Sequence, residues 1–455
     1  MTAAVKAVKT RIKFYTGLFN MVKITLLGAG SLFSQPLVTD ILNIEGLDEG
    51  VINLVDIDKR RLDISTNLAK KIAELTGRKG WKIKSSVDRR RVLPDSDYVI
   101  NSIEVSGTKC VRWDNDIPLK YGIDQCIGDT IGPGGIMKAL RTLPSILDIL
   151  ADCEKLCPDA LFMNYTNPMS IIMQAALLSS PMQMVGLCHS VQATSKALAS
   201  YLDIPYEQLL YRCGGINHVA WMTELKAEGK DLYPDLFAAM KKKKIYEKDP
   251  VRFDVMKHLG YFVTESSGHF SEYVPWYRKR KELIKKFCRG GYLGGSGFYR
   301  TQWPKWRKQQ DEDKKKMLAG TKEIPLQRGH EYASYIIEAH RLNRPFTCNA
   351  TVANTGLIDN LLQTCVAEVP VLVDRRGYLP TYFGPLPEQL AAVCRSHQSV
   401  YQLCAQGIIE QNREMIIHAM MFDPLSAAVC SPEEIRKMAA ELFRAERNYI
   451  PNWCS

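Results

Sequence analysis

Cys188 and His189 stand side by side in Gly186-Leu187-Cys188-His189-Ser190-Val191, where a short apolar run, Met184 to Leu187, ends in a tight turn. A thiolate is a soft metal ligand and an imidazole moves protons, so adjacent groups on a rigid strand end can divide the work. The sulfur then takes a metal while the ring faces a substrate. The segment Cys213-Gly214-Gly215-Ile216-Asn217-His218 adds His218, a nitrogen partner for the Cys188 thiolate. Asn167 closes another short strand, Ala160 to Met163, one helix and one strand ahead of Cys188. In open α/β sheets ligands gather at the carboxyl ends of strands, so Asn167 and the Cys-His pair should be neighbours. The run Ser266 to Tyr277 mixes hydroxyls, a histidine, a carboxylate and aromatic rings, a surface suited to covering a pyranose face while binding its hydroxyls.

The elements that must position these groups are legible from Val22 onward. Val22 to Leu27 reads as a strand, Gly28-Ala29-Gly30-Ser31 as a glycine turn, and the periodic segment to Leu42 as a helix. Gly28 and Gly30 let the backbone turn tightly and approach a pyrophosphate, whose charge then sits at the helix N-terminus beside Ser31. Phe33 stands where a third glycine would complete the usual fingerprint. Val51 to Val55 is a second strand ending in Asp56, a carboxylate placed to hold an adenosine ribose, which favours NAD over NADP. A helix from Arg60 to Leu75 and a strand from Tyr98 to Ile103 complete a βαβαβ half. The glycine-rich loop Gly128 to Gly135 carries Asp129 and leads into a helix, Ile136 to Leu150, with Lys138 and Arg141 on one side; such a loop holds an anion or closes over a sugar. Beyond Leu202 the alternation of strand and helix stops. The segment from Tyr277 to Lys322 reads as a basic, Trp-rich surface region or lid, and most of the chain beyond it as helical.

Composition bounds the classes. A chain of 455 residues with 46% hydrophobic residues is long enough for one large or two to three ordinary folded units. Thirteen cysteines without a CxxC pair argue for reduced thiols and a cytoplasmic setting. Residues 1–20 carry Lys6, Lys9, Arg11 and Lys13 with no apolar core and are read as a disordered extension. No run is apolar enough to span a membrane. The formal net charge of +11 comes from local runs such as Lys241 to Lys244 and Lys314 to Lys316, read as solvated faces without the interleaved aromatics of a nucleic-acid surface. The expectation is an α/β protein: a Rossmann-like doubly wound parallel sheet over 21–203, of the lactate/malate dehydrogenase kind, and an α+β catalytic and oligomerisation domain over 204–455.

Taken in order, the motifs GAGS, GDTIGPGGIMKALRT, NYTNPM, GLCHSV, GINHVAW and GYFVTESSGHFSEYVPW resemble glycoside hydrolase family 4, the NAD- and manganese-dependent glycosidases, from about Met21 almost to the C-terminus. Within it the chain is most similar to the α-galactosidase branch. Such enzymes are an exception to the two-carboxylate rule for glycosidases. The resemblance implies hydride transfer from C3 of the sugar to NAD⁺, loss of the C2 proton, departure of the aglycone, addition of water and re-reduction. It also implies that Cys188 and His218 bind Mn²⁺, Asn167 and Asp129 bind substrate, His189 protonates the leaving group, and Tyr273 is the C2 base, with Glu272 and His269 as alternatives. A homodimer or homotetramer acting on a small α-glycoside is expected, with no nucleic-acid or membrane partner. The CHSV form argues against phospho-sugars. Three readings compete with an α-galactosidase: an α-glucosidase or α-galacturonidase of the same family, the latter needing Lys109, Arg112 or Arg141 near C6; a dehydrogenase of the malate or lactate type; and a silent NAD sensor.

Overall fold

The computed structural model describes residues 21–454; the expectation for residues 1–20 lies outside them. A single sheet organises the chain. Its strands are β1 (Val22–Leu27), β2 (Glu49–Val55), β3 (Gly80–Ser86), β4 (Tyr98–Asn101), β5 (Leu161–Asn164), β6 (Gln183–Gly186), β7 (Leu210–Ile216), β8 (Val219–Ala227), β9 (Lys230–Asp231), β10 (Phe262–Val263), β11 (Phe346–Ala353), β12 (Val366–Asp374) and β13 (Gly377–Pro380).

Strands β3-β2-β1-β4-β5-β6 lie in that order and are all parallel. This is the doubly wound order, with its topological switch between β1 and β4, where a dinucleotide crosses the sheet. β1 is buried along nearly its whole length because helices cover both faces of a parallel sheet; of VKITLL only Lys23, half-buried and bonded to the Pro94 carbonyl, and Thr25, bonded to Ser96 Oγ, are polar. β3 corrects the simpler βαβαβ reading. It is an edge strand, GWKIKSS, with exposed lysines, so an apolar-run criterion passes over it.

Past β6 the sheet continues without a break but becomes antiparallel. β11 joins β6 through Thr351 and Gly186, β12 pairs with β11, β7 joins β12 through Glu368 and Gly215, and β8 and β10 complete the row. Helices Met169–Ser179 and Glu388–Ile409 pack against each other beneath this junction. The segment expected to be a surface lid contains a 21-residue helix, Phe298–Leu318, packed against the Lys59–Leu75 helix of the parallel half. Lys314 in that helix is a second correction. It is only 4% exposed, because its Nζ donates to the Ser31 carbonyl (2.9 Å) and to the hydroxyls of Ser34 and Ser65.

Candidate active site

The glycine turn is built by close approach. Gly28 N and Ala29 N both donate to the Val55 carbonyl at 2.9 Å, and Gly28 has φ +77°. A Cβ there would lie 2.6 Å from the Ser102 carbonyl oxygen, so no other residue fits without moving β4's exit. A Cβ at Gly30 would sit 2.7 Å from Asp56 Oδ2, which accepts a 2.7 Å bond from Gly30 N; Asp56 Oδ1 accepts from Asp58 N. The cradle, the free helix end beyond Ser31 and the half-buried carboxylate at the end of β2 fit a dinucleotide.

Parallel pairing of β5 with β6 brings the ends of those strands together, with Asn164 opposite Gly186. Asn167 and the Cys188-His189 pair therefore leave the same sheet edge. Asn167 Oδ1 accepts from Met169 N at 3.2 Å, which leaves its amide nitrogen to donate. His218 arrives from a two-residue hairpin, Asn217-His218, that links β7 to β8. Its backbone lies in the left-handed region at φ +66°, and so does Glu265 at +73°. Two strained non-glycine residues in one cluster mark a place where structure is spent on positioning.

The side chains converge. Cys188 Sγ lies 3.3 Å from His218 Nε2, Glu265 Oε2 lies 3.4 Å from the same nitrogen, and Tyr273 Oη lies 3.0 Å from His218 Nδ1. The ligand atoms of His218, Glu265 and His269 fall within 4.8 Å of one another. Burial alone would raise the Cys188 thiol, but the His218 charge and hydrogen bond bring it down to about 6. Burial opposes protonation of His218, yet Glu265 and Cys188 together raise it to about 10. Burial likewise opposes the Glu265 carboxylate, which His218 and His269 nonetheless hold well below the usual carboxylate range. A thiolate and a carboxylate thus share one imidazole, and this S, N, O donor set fits a divalent transition metal. Tyr273 bonds to Nδ1 and so directs Nε2 toward the thiolate and carboxylate.

Sequence reasoning passed over three residues here and noted a fourth, Phe33, only as a missing glycine. Glu265 sits inside the GYFVTESSGHFSEYVPW motif, where its spacing to His269 was a usable signal. Glu331 carries none: His189 Nε2 lies 2.9 Å from both its oxygens, and its carboxylate, acting against the cost of burial, raises the imidazole above its ordinary value. Glu368 on β12 accepts from Asn217 Nδ2 at 3.1 Å and steadies the hairpin; burial, with the Cys188 charge, raises its carboxyl to about 8. Phe33, which replaces the third glycine, stacks on the His189 ring at 5.9 Å and 4°.

Other expectations separate. Glu272 accepts from the backbone N of Cys126, Ile127 and Gly128 and from Gln125, so its carboxylate clamps the loop leading to Asp129. Lys138 and Arg141 do not share a surface. Lys138 bridges Asp129 and Glu104 at 3.1 and 3.0 Å. Asp129 also accepts from Thr130 Oγ1 at 2.7 Å; burial raises its carboxyl, but Lys138 and His269 bring it below its ordinary value. Arg141 is 1% exposed, with both its Nη atoms bonded to Asp114 and Glu446, while Arg112 is exposed on Asp116.

The family model described as "Family 4 glycosyl hydrolase" matches residues 23–204, and "Family 4 glycosyl hydrolase C-terminal domain" matches 213–426. The chain is 38% identical over 441 residues to "Alpha-galactosidase" of Bacillus subtilis (strain 168), covering 95% of this chain and all of that one. It is 34% identical over 448 residues to "Alpha-galactosidase" of Rhizobium meliloti (strain 1021), covering 95% and 89%. Its fold matches that of a 6-phospho-alpha-glucosidase from gut microorganisms, solved in complex with NAD and Mn²⁺, with a TM-score of 0.81 over 95% of this chain and 99% of that one at 17% identity.

Proposed function

The chain belongs to family 4 of the glycosyl hydrolases, and from that premise we propose that it is an NAD- and manganese-dependent α-galactosidase. The observation that carries the reading is the meeting of Cys188, His218, Glu265 and Tyr273 beside the carboxyl ends of the parallel strands, in a chain similar over its length to α-galactosidases.

Gly28, Gly30, Ser31 and Asp56 would hold the dinucleotide, and Cys188 and His218, with Glu265 beside the His218 ring, would hold the metal. When bound, NAD supplies a hydride acceptor for C3 of the sugar, and the cation supplies a Lewis acid whose charge favours ionisation at C2 and at Tyr273. Tyr273 takes the C2 proton on Oη. Burial pushes that phenol well above its ordinary value, and the 3.0 Å bond to His218 Nδ1 fixes where the oxygen points. His189, anchored through Nε2 on Glu331, donates from Nδ1 to the departing oxygen. The Asn167 amide and Asp129 bind sugar hydroxyls. Residues 21–203 carry the nucleotide and 204–455 the remaining walls of the site.

A neutral sugar is favoured over a uronic acid because Arg141 is sealed between two carboxylates, Arg112 is turned to solvent and the exposed Lys109 lies over the Tyr449 ring. Among the described residues no helix is long and apolar enough to cross a membrane. Thirteen free cysteines suit a reducing compartment, which supports a cytoplasmic setting, and the family resemblance implies a homodimer or homotetramer. The test is hydrolysis of 4-nitrophenyl α-galactoside, α-glucoside and α-galacturonide with and without NAD⁺ and Mn²⁺. Cleavage of the galactoside only when both are added is expected. Cofactor-independent cleavage, or preference for another sugar, overturns the assignment.

A further inference from the structure

We propose that Tyr292, Phe298 and Trp306 form an aromatic platform at the mouth of the site, and that it binds the sugar rings of the leaving group when the substrate is longer than a disaccharide. The inference rests on the α-galactosidase reading and deepens it, naming α-galactosyl oligosaccharides as the substrate class.

The platform begins at the metal cluster. Tyr292 Oη lies 3.5 Å from Glu265 Oε1, and the Glu265 charge, ahead of burial, raises the phenol above its ordinary value, with Asp129 adding to it. Glu265 also acts on His189, the group placed to protonate the leaving oxygen, so the departing bond and the Tyr292 ring lie within the field of one carboxylate. From Tyr292 the rings step outward. Phe298 follows at 6.0 Å between centroids and 74°, and Trp306 lies 5.9 Å from Phe298 at 76°. Each step is about one pyranose wide. Tyr292 is 47% exposed and Trp306 39%, whereas His218, His269 and Tyr273 are buried, so the rings lie between the closed pocket and solvent.

The platform is held rigidly. Gly268 stands one residue before His269, and a Cβ there would lie 2.2 Å from the Tyr292 carbonyl oxygen and 2.6 Å from Gly294 N. Only a glycine lets the Gly291–Leu293 turn rest on the helix Ser267–Tyr273. Arg278 Nη1 donates to the Gly294 carbonyl at 3.1 Å, Gly297 N to the Gln125 carbonyl at 2.7 Å and Tyr299 N to the Cys126 carbonyl at 2.9 Å. The turn and the start of the Phe298–Leu318 helix are thus tied to the helix of Tyr273 and to the loop that leads to Asp129. A segment fixed on both sides of a sugar site keeps its ring faces in place before substrate arrives, which lowers the ordering cost of binding.

The chemistry of the rings selects the occupant. An aromatic face is electron-rich, and a hexopyranose presents a face of C–H groups to it while its hydroxyls point sideways to water. Large aromatic rings gathered in one exposed strip mark a binding surface, and this strip is continuous with the groups that hold the galactosyl unit.

The experiment measures kcat and KM with NAD⁺ and Mn²⁺ supplied, on 4-nitrophenyl α-galactoside, melibiose, raffinose and stachyose, for the wild type, Trp306→Ala and Trp306→Phe. The leaving groups run from a single ring to a chain of three sugars. In the wild type kcat/KM should rise roughly tenfold from melibiose to stachyose, the gain expected when one further aromatic contact is used. Trp306→Ala should remove that gain through KM with kcat kept, because a contact remote from the chemistry binds ground state and transition state alike. Trp306→Phe should keep most of it. Activity on the nitrophenyl substrate, whose aglycone ends at the first ring of the platform, and the melting temperature should hold in both variants. Equal wild-type kcat/KM on melibiose and stachyose, a gain that survives in Trp306→Ala, or a loss of the same factor on every substrate overturns the inference. A wild type inactive on all four with both cofactors overturns the α-galactosidase reading itself, a distinct result.

Discussion

His189 Nε2 lies 2.9 Å from both carboxylate oxygens of Glu331, 142 residues away along the chain. Glu331 stands at the N-terminal boundary of the Tyr332–Leu342 helix, and Asp40 accepts from its backbone N, so the carboxylate is itself anchored. The pair gives the imidazole a fixed orientation and a reason to carry a proton.

Removing either partner should therefore act on departure of the leaving group. His189→Ala should lower turnover of melibiose by about 10²-fold, and Glu331→Gln by a smaller factor, while 4-nitrophenyl α-galactoside, whose leaving group needs no proton, changes little. Steady-state kinetics on both substrates check this. Equal losses on the two would mean that His189 only binds or supports.

Cys188→Ser replaces a soft thiolate by a neutral hydroxyl 3.3 Å from His218 Nε2. Mn²⁺ affinity should fall by at least about tenfold, because alcohol oxygens are poor ligands at neutral pH. The metal-free melting temperature should hold. Electron paramagnetic resonance of free Mn²⁺ reports the affinity directly, and an unchanged value would remove Cys188 from the ligand set.

Arg141→Ala leaves Asp114 and Glu446 buried without their cation. A loss of about 3–5 kcal/mol in urea unfolding is expected, as for other broken buried ion pairs. Selectivity among galactoside, glucoside and galacturonide should not move in whatever fraction remains folded. A change in that selectivity would place Arg141 in the sugar site.

Asp423 supplies a pH dependence away from the metal cluster. It is fully buried, and burial raises its carboxyl from 3.8 to about 6 despite bonds from Ser426 N and Oγ. Between pH 6 and 4 the folded chain therefore holds a proton that the unfolded chain has lost. The penalty of about 3 kcal/mol is fully present above pH 6 and disappears as pH falls toward 4. Asp423→Asn should exceed wild-type stability at pH 7.5 by a few kcal/mol and match it near pH 4, read from urea unfolding at each pH. A difference independent of pH would contradict the assignment.

Much of the nucleotide-binding half was legible because its signals are local. A parallel strand buried on both faces is mostly apolar, and a turn whose Cβ would strike Ser102 must be glycine. Cys188 and His218 were legible for the same reason: each lies in a short turn at the end of a strand. Tyr273 could be named but not separated from Glu272 by sequence. In the structure Glu272 accepts from three backbone N–H groups while Tyr273 reaches His218, and the proposal of Tyr273 as the base rests on that difference.

Glu331, Glu368 and Lys314 were not legible. Nothing in the spacing of Lys314 to Lys316 distinguishes a solvated lysine from one buried against Ser31, because that depends on which face of the Phe298–Leu318 helix meets the parallel half. Sequence by itself determined the residue types, the strand-turn-helix order and hence the chemistry available. Tertiary structure alone decided which distant carboxylates meet which imidazoles: pairing of β10 with β8 carries Glu265 to His218, and the start of the Tyr332–Leu342 helix carries Glu331 to His189. Chain separation says nothing about that meeting.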